Sequence, residues 1–194
     1  CNTAIGFQSS ITTTSGCRNT AIGFNSLFAN SSGDFNTAVG AQSMICNTSG
    51  FANVPLDKRA MDLNTTGSCN TAVGFQALYY NTTGCRNVAV GYNSLLATTT
   101  GSFNAALGEL SLSCNTTGQY NTGLGYRASR CNTTAQGNAA VGFQSLFYNT
   151  TGSYNAALGM YALHKNTASS NTAVGYAALI CNTSAGGNAA FGNS

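Results

Sequence analysis

The chain has 194 residues, 6% of them charged, and a net charge of +3 from seven basic and four acidic side chains. So sparse a charge offers no basic cluster for nucleic acid, no apolar run of about 18 residues is present to cross a membrane, and no secretory leader is visible. One histidine and four acids are too few to suggest a catalytic constellation, so no enzyme activity is expected.

Asn2 opens a unit that recurs at 17-residue steps at Asn19, Asn36, Asn53, Asn70, Asn87, Asn104, Asn121, Asn138 and Asn155; a 16-residue step then gives Asn171, and a last 17-residue step Asn188. A fixed period of this kind marks a repeat architecture in which each unit contacts only its neighbours. A single repeat domain over residues 1–194 is expected.

With the leading Asn as position 0, position 4 is Gly in eleven of twelve units and position 14 is Gly in eight. Two recurrent glycines read as two bends. Position 2 is Ala in ten units, position 3 is always apolar, position 7 is Ser or Ala, and position 8 is mostly Leu or Met. No unit holds the long periodic run a helix needs. Short β-prone stretches between Gly, Asn and Ser/Thr clusters predict two short strands and two turns per coil of a parallel β-solenoid. Stacked at ~4.8 Å, about twelve coils make a rod roughly 55 Å long. In this reading positions 3 and 8 form apolar columns, and the small residues at 2 and 7 let the two walls close.

Along the chain, position 5 is aromatic at Phe7, Phe24, Phe75, Tyr92, Tyr126, Phe143 and Tyr176. These side chains are either packed corners or an exposed stripe that marks an association surface. Cys1 and Cys17 recur 68 residues later as Cys69 and Cys85, and Cys46 recurs as Cys114, so four coils make a superrepeat. Its fourth coil, 53–69, holds the only proline, Pro55, and four of the eleven charged residues. It reads as an interruption rather than a boundary, because Leu56, Asn64, Thr65 and Gly67 keep the register.

The cysteines lack metal-ligand spacing, and no Walker, dinucleotide or calcium-repeat pattern occurs, so no metal or cofactor is expected. Cys1 with Cys17, Cys69 with Cys85, and Cys114 with Cys131 fall in adjacent coils, within the reach of a disulfide. The alternative is that they are free, small, buried thiols. Cys46 and Cys181 have no stacked partner and are expected to stay free or to link chains. Asn30, Asn47, Asn64, Asn81, Asn115, Asn132, Asn149 and Asn182, all at position 11, each begin an Asn-x-Ser/Thr sequon. They would carry glycans in a secreted protein, or they are turn residues whose amides ladder along the stack. Position 12 is Thr or Ser from Thr14 to Thr183, beside a second such column at position 13.

The run Asn-Thr-Ala-Val-Gly-Phe-Gln-Ala at 70–77, with close copies at 19–26, 138–145 and 171–178, resembles the head-domain repeat of trimeric autotransporter adhesins and the solenoid repeats of phage and algal-virus fibre proteins. The resemblance implies a left-handed parallel β-roll on an extracellular fibre, often trimeric, used for attachment to a cell-surface ligand. The coil here is longer, and no neck, stalk or anchor is recognisable within residues 1–194. The expected function is that of a structural subunit of an extracellular fibre whose partner is itself. Neither end carries a charged or proline-rich cap, and the last coil is unfinished at Ser194, so head-to-tail stacking into a filament is expected. Alternatives are an ice-binding solenoid presenting a Thr column and an adhesin head.

Overall fold

The computed structural model describes residues 1–10 and 12–193; Ser194, in the unfinished last coil, lies outside them. Twelve three-residue strands follow at the spacing of the repeat: β1 (Thr3–Ile5), β2 (Thr20–Ile22), β3 (Thr37–Val39), β4 (Val54–Leu56), β5 (Thr71–Val73), β6 (Val88–Val90), β7 (Ala105–Leu107), β8 (Thr122–Leu124), β9 (Ala139–Val141), β10 (Ala156–Leu158), β11 (Thr172–Val174) and β12 (Ala189–Phe191). They form one parallel sheet in chain order. Each residue lies beside its counterpart one unit on, as in Thr20↔Thr37, Ala21↔Ala38 and Ile22↔Val39. With no helix among the described residues, the chain is an all-β parallel solenoid.

One strand per coil is present, not the two expected. The opposite wall, positions 5–10, is built from residues of alternating hand. Asn25 and Leu27, both at φ 53°, flank Ser26, which is not at positive φ, and the pattern recurs at Gln42 and Met44 and at Gln76 and Leu78. Left-handed backbone costs a non-glycine residue about 1–2 kcal/mol. The return is that successive amides point along the rod axis. Asn25 N–H donates back to Phe7 O at 3.0 Å, while Leu27 N–H and Ala29 N–H donate forward to Ser43 O at 3.0 Å and Ile45 O at 2.9 Å. The wall therefore satisfies its polar backbone through neighbouring coils without being a strand.

The interior is narrow. It holds the position 2 alanines (Ala21, Ala38, Ala72, Ala89), the small residues of position 7 (Ser26, Ser43, Ala60, Ala77) and the Leu/Met column of position 8 (Leu27, Met44, Met61, Leu78, Leu95), all buried. Position 7 serines cross the core, as where Ser26 Oγ donates to Ala38 O at 2.9 Å. Position 3 is not part of this core, contrary to the sequence expectation. Side chains alternate along a strand, so a three-residue strand with position 2 inward must turn positions 1 and 3 outward. Ile5 is 58% exposed, Leu107 51%, Leu158 50% and Phe191 76%.

The glycine of position 4 sits at φ near 130°, and a Cβ on Gly23 would lie 2.6 Å from Gly40 O. Coil 53–69 departs from this with Asp57 at φ 107°. Pro55 lacks an N–H, and the pairing of β3 with β4 shrinks to Val39↔Leu56. Full pairing resumes between β4 and β5.

Candidate functional site

The outward face of the sheet is the most distinctive surface. Its centre line is position 3: Ile5, Ile22, Val39, Leu56, Val73, Val90, Leu107, Leu124, Val141, Leu158, Val174 and Phe191, aliphatic or aromatic in all twelve coils. Across the glycine bend runs position 5. Its rings pair by stacking, Phe7 on Phe24 at 5.8 Å, Phe75 on Tyr92 at 5.7 Å and Tyr126 on Phe143 at 5.3 Å between centroids. Phe7, Phe24, Tyr92, Phe143 and Tyr176 are exposed and Phe75 and Tyr126 half-buried. Of the two readings left open for these aromatics, the structure has the exposed stripe, interrupted by Ala41, Lys58, Glu109 and Met160.

The position 11 asparagines are structural. Asn47 Nδ2 donates to Asn30 Oδ1 at 2.7 Å and to Gly50 O at 3.0 Å, and Asn64 and Asn81 repeat both bonds. Position 0 adds a second column, in which Asn36 Nδ2 donates to Gly50 O at 2.8 Å and Asn53 N–H donates to Asn36 Oδ1 at 3.0 Å. Both columns thus converge on the position 14 carbonyl. Space there excludes a side chain, since a Cβ on Gly67 would fall 2.5 Å from Asn64 Oδ1 and 2.6 Å from Asn81 Nδ2. Seven of the eight sequon asparagines are fully buried, Asn182 being the partly buried one. A glycan on Nδ2 therefore does not fit the folded chain at those seven positions.

Beyond Asn30, the first asparagine of the column, the ladder breaks at two places. Thr98 replaces Asn, and Asn81 Oδ1 is left buried and unpartnered. In the 16-residue coil the Asn-x-x-Gly turn is one residue short, Asn166 Nδ2 donates to Ala168 O at 2.7 Å, and Asn149 Oδ1 is orphaned.

Position 12 hydroxyls are internally engaged, as in Thr48 Oγ1 to Thr65 O at 3.1 Å and Thr82 Oγ1 to Thr99 O at 3.0 Å. Position 13, from Ser32 through Thr83 to Thr151, is the exposed column.

All eight cysteines are free thiols. Cys69 and Cys85 line one cavity of about 200 Å³ with Phe51, Ser68 and Arg86, and Cys85 Sγ accepts from Ser68 N–H at 3.3 Å. Burial pushes the Cys131 thiol above its ordinary value, and the neighbouring Cys114 adds to this. Cys46 is likewise raised by burial and then by Asp62. No group of three metal-ligating side chains occurs among the described residues.

One charged feature was not anticipated. Positions 6 and 9 carry Arg59 and Asp62 in coil 53–69, but Arg127 and Arg130 one superrepeat later. The exchange of Asp62 for Arg130 is visible in the 68-residue alignment of the chain with itself.

Comparison of the chain with protein-family models, curated protein sequences and solved structures finds no match.

Proposed function

We propose that the chain is a structural subunit of an extracellular fibre, a rigid rod that associates with copies of itself through the outward face of its sheet. The observation that carries this reading is the unbroken apolar column at position 3, outward in every coil. Roughly 55 Å long and about 10 Å wide with its flanks, the stripe covers on the order of 500 Å², at the upper end of the largest patches on monomers. Apolar side chains at all twelve positions stay half-buried or exposed within one chain and gain stability when a second copy covers them. Stacking of β12 on β1 of another copy adds length in the same scheme. The partners are copies of the chain and, for an adhesin head, a cell-surface ligand; the role is not catalytic.

An extracellular setting would let the thiol pairs Cys1/Cys17, Cys69/Cys85 and Cys114/Cys131 close as disulfides, leaving Cys46 and Cys181 unpaired. Mass mapping without reductant tests this, and a Cys46–Cys114 bridge would contradict it. The exposed hydroxyl column at position 13 supports a second reading, an ice-binding surface, for which thermal hysteresis is the assay.

Light scattering on the purified chain tests the first reading. The native protein is expected to form multimers, and Leu107→Glu with Leu158→Glu, which change side chains already outside the core, is expected to leave folded monomers. A monomeric native chain, or variants that assemble unchanged, would contradict it.

A further inference from the structure

The superrepeat places two versions of one corner 68 residues apart. In the first, Arg59 Nε stands 3.9 Å from Asp62 Oδ2 and donates to Gln42 Oε1 at 3.0 Å. The Tyr79 hydroxyl, at position 9 of the next coil, faces the same carboxylate, and it and Arg59 oppose the rise that burial imposes on the Asp62 pKa. The second version keeps the backbone, with φ 59° at Arg59 and 55° at Arg127, but Asp62 becomes Arg130 and Tyr79 becomes Phe147.

The two guanidiniums of the second corner lie on aromatic faces, Arg127 over Tyr126 at 4.9 Å and Arg130 over Phe147 at 5.8 Å from centroid. The Nε atoms of both are buried without a hydrogen-bond partner. His164 lies two coils beyond Arg130 in the same column, stacked on Phe147 at 5.3 Å, with its Nδ1 3.1 Å from Gln144 O. Glu109, one coil earlier at position 5, pairs with neither arginine, and the one ion pair among the described residues is Arg59–Asp62. Where the first corner pairs its guanidinium with an acid, the second carries two guanidiniums and no acid paired with either.

We propose that Arg127 and Arg130 form an oxyanion site, in which their guanidinium groups take a sulfate or phosphate group from solvent. Guanidinium N–H groups match such oxygens in charge and geometry. The oxyanion is either a free ion or an ester on a sugar, for which the exposed Tyr148 ring beside the corner offers an apolar face. The site lies at positions 6 and 9, apart from the position 3 face, and is independent of self-association.

Calorimetric titration with sodium sulfate, sodium phosphate and glucose 6-sulfate, at ionic strength held constant with chloride, is the test. Saturable binding of at least one probe to the native chain is expected. Arg127→Gln and Arg130→Asp should each weaken it about tenfold or more, while Arg86→Gln, on another face, should leave it unchanged. Arg130→Asp rebuilds the Arg59–Asp62 arrangement, and an unfolding curve at least as stable as the native one confirms that the loss is not misfolding. Tighter binding of glucose 6-sulfate than of sulfate identifies the ester as the ligand; equal or weaker binding identifies the free ion. Absence of saturable binding by all three probes, retention of binding in Arg130→Asp, or an equal loss in Arg86→Gln would overturn the proposal.

Discussion

Replacing Thr98 with Asn should stabilise the rod. Thr98 is completely buried in the position 11 column, between Asn81, whose Oδ1 is orphaned, and Asn115, whose Nδ2 reaches Thr98 Oγ1 only at 3.5 Å. Elsewhere the same step is an amide–amide bond of 2.7–2.8 Å, as at Asn47, Asn64 and Asn81. The sequence 98–101 already ends on Gly101, so an asparagine at 98 also finds the position 14 carbonyl. The substitution supplies a donor to Asn81, a good acceptor to Asn115 and little change in volume. A net hydrogen bond contributes about 1 kcal/mol, and an unsatisfied buried group costs about 1–3 kcal/mol. A gain of about 2 kcal/mol is therefore expected, which for a chain of this size is a rise of roughly 4–8 °C in Tm. Because repeat arrays unfold with imperfect cooperativity, amide exchange in the two flanking coils should be followed beside the melt, and protection should rise there first. A neutral or destabilising result would refute the view that the asparagine ladder holds the coils together.

Asp57→Gly should stabilise by about 1 kcal/mol in a denaturant titration, since it removes a non-glycine residue from φ 107°, although Lys58 N–H loses its bond to Asp57 Oδ1. Inserting Gly after Ala168 restores a 17-residue coil and should bring Asn166 Nδ2 onto Asn149 Oδ1, seen as slowed exchange of that side-chain amide. Burial lifts the Asp62 carboxyl above its ordinary 3.8, against the opposing pull of Arg59 and the Tyr79 hydroxyl. The folded chain therefore holds this proton more tightly than the unfolded one. The corresponding stability is present below pH 3.8 and is lost as pH rises through the folded value. Asp62→Asn should flatten that part of the stability–pH curve, and an unchanged curve would contradict the assignment.

The periodicity of Asn, Gly and Ala locates the coils, their register and the buried columns at positions 0, 2, 7, 8 and 11. Two features were hidden for physical reasons. Leu27 and Met44 at positive φ run against the local preference of such residues, and only bonds to neighbouring coils hold them there, so the second wall reads as a strand in the sequence. Position 3 reads as core because aliphatic residues there look the same whether a wall faces inward or toward another copy. The aromatic stripe was legible as one of two choices, since a ring after a glycine bend can turn either way. The Arg127–Arg130 corner stands out only when the two superrepeats are compared residue by residue.

Site-specific photo-crosslinking tests the central claim most directly. A benzophenone side chain placed at Leu124, on the outward strand face, should give interchain adducts with position 3 residues of another copy. The same probe at Thr117, in the exposed column at position 13, should give none. Efficient interchain adducts from Thr117 with none from Leu124 would show that the apolar face is not the surface through which the rods associate.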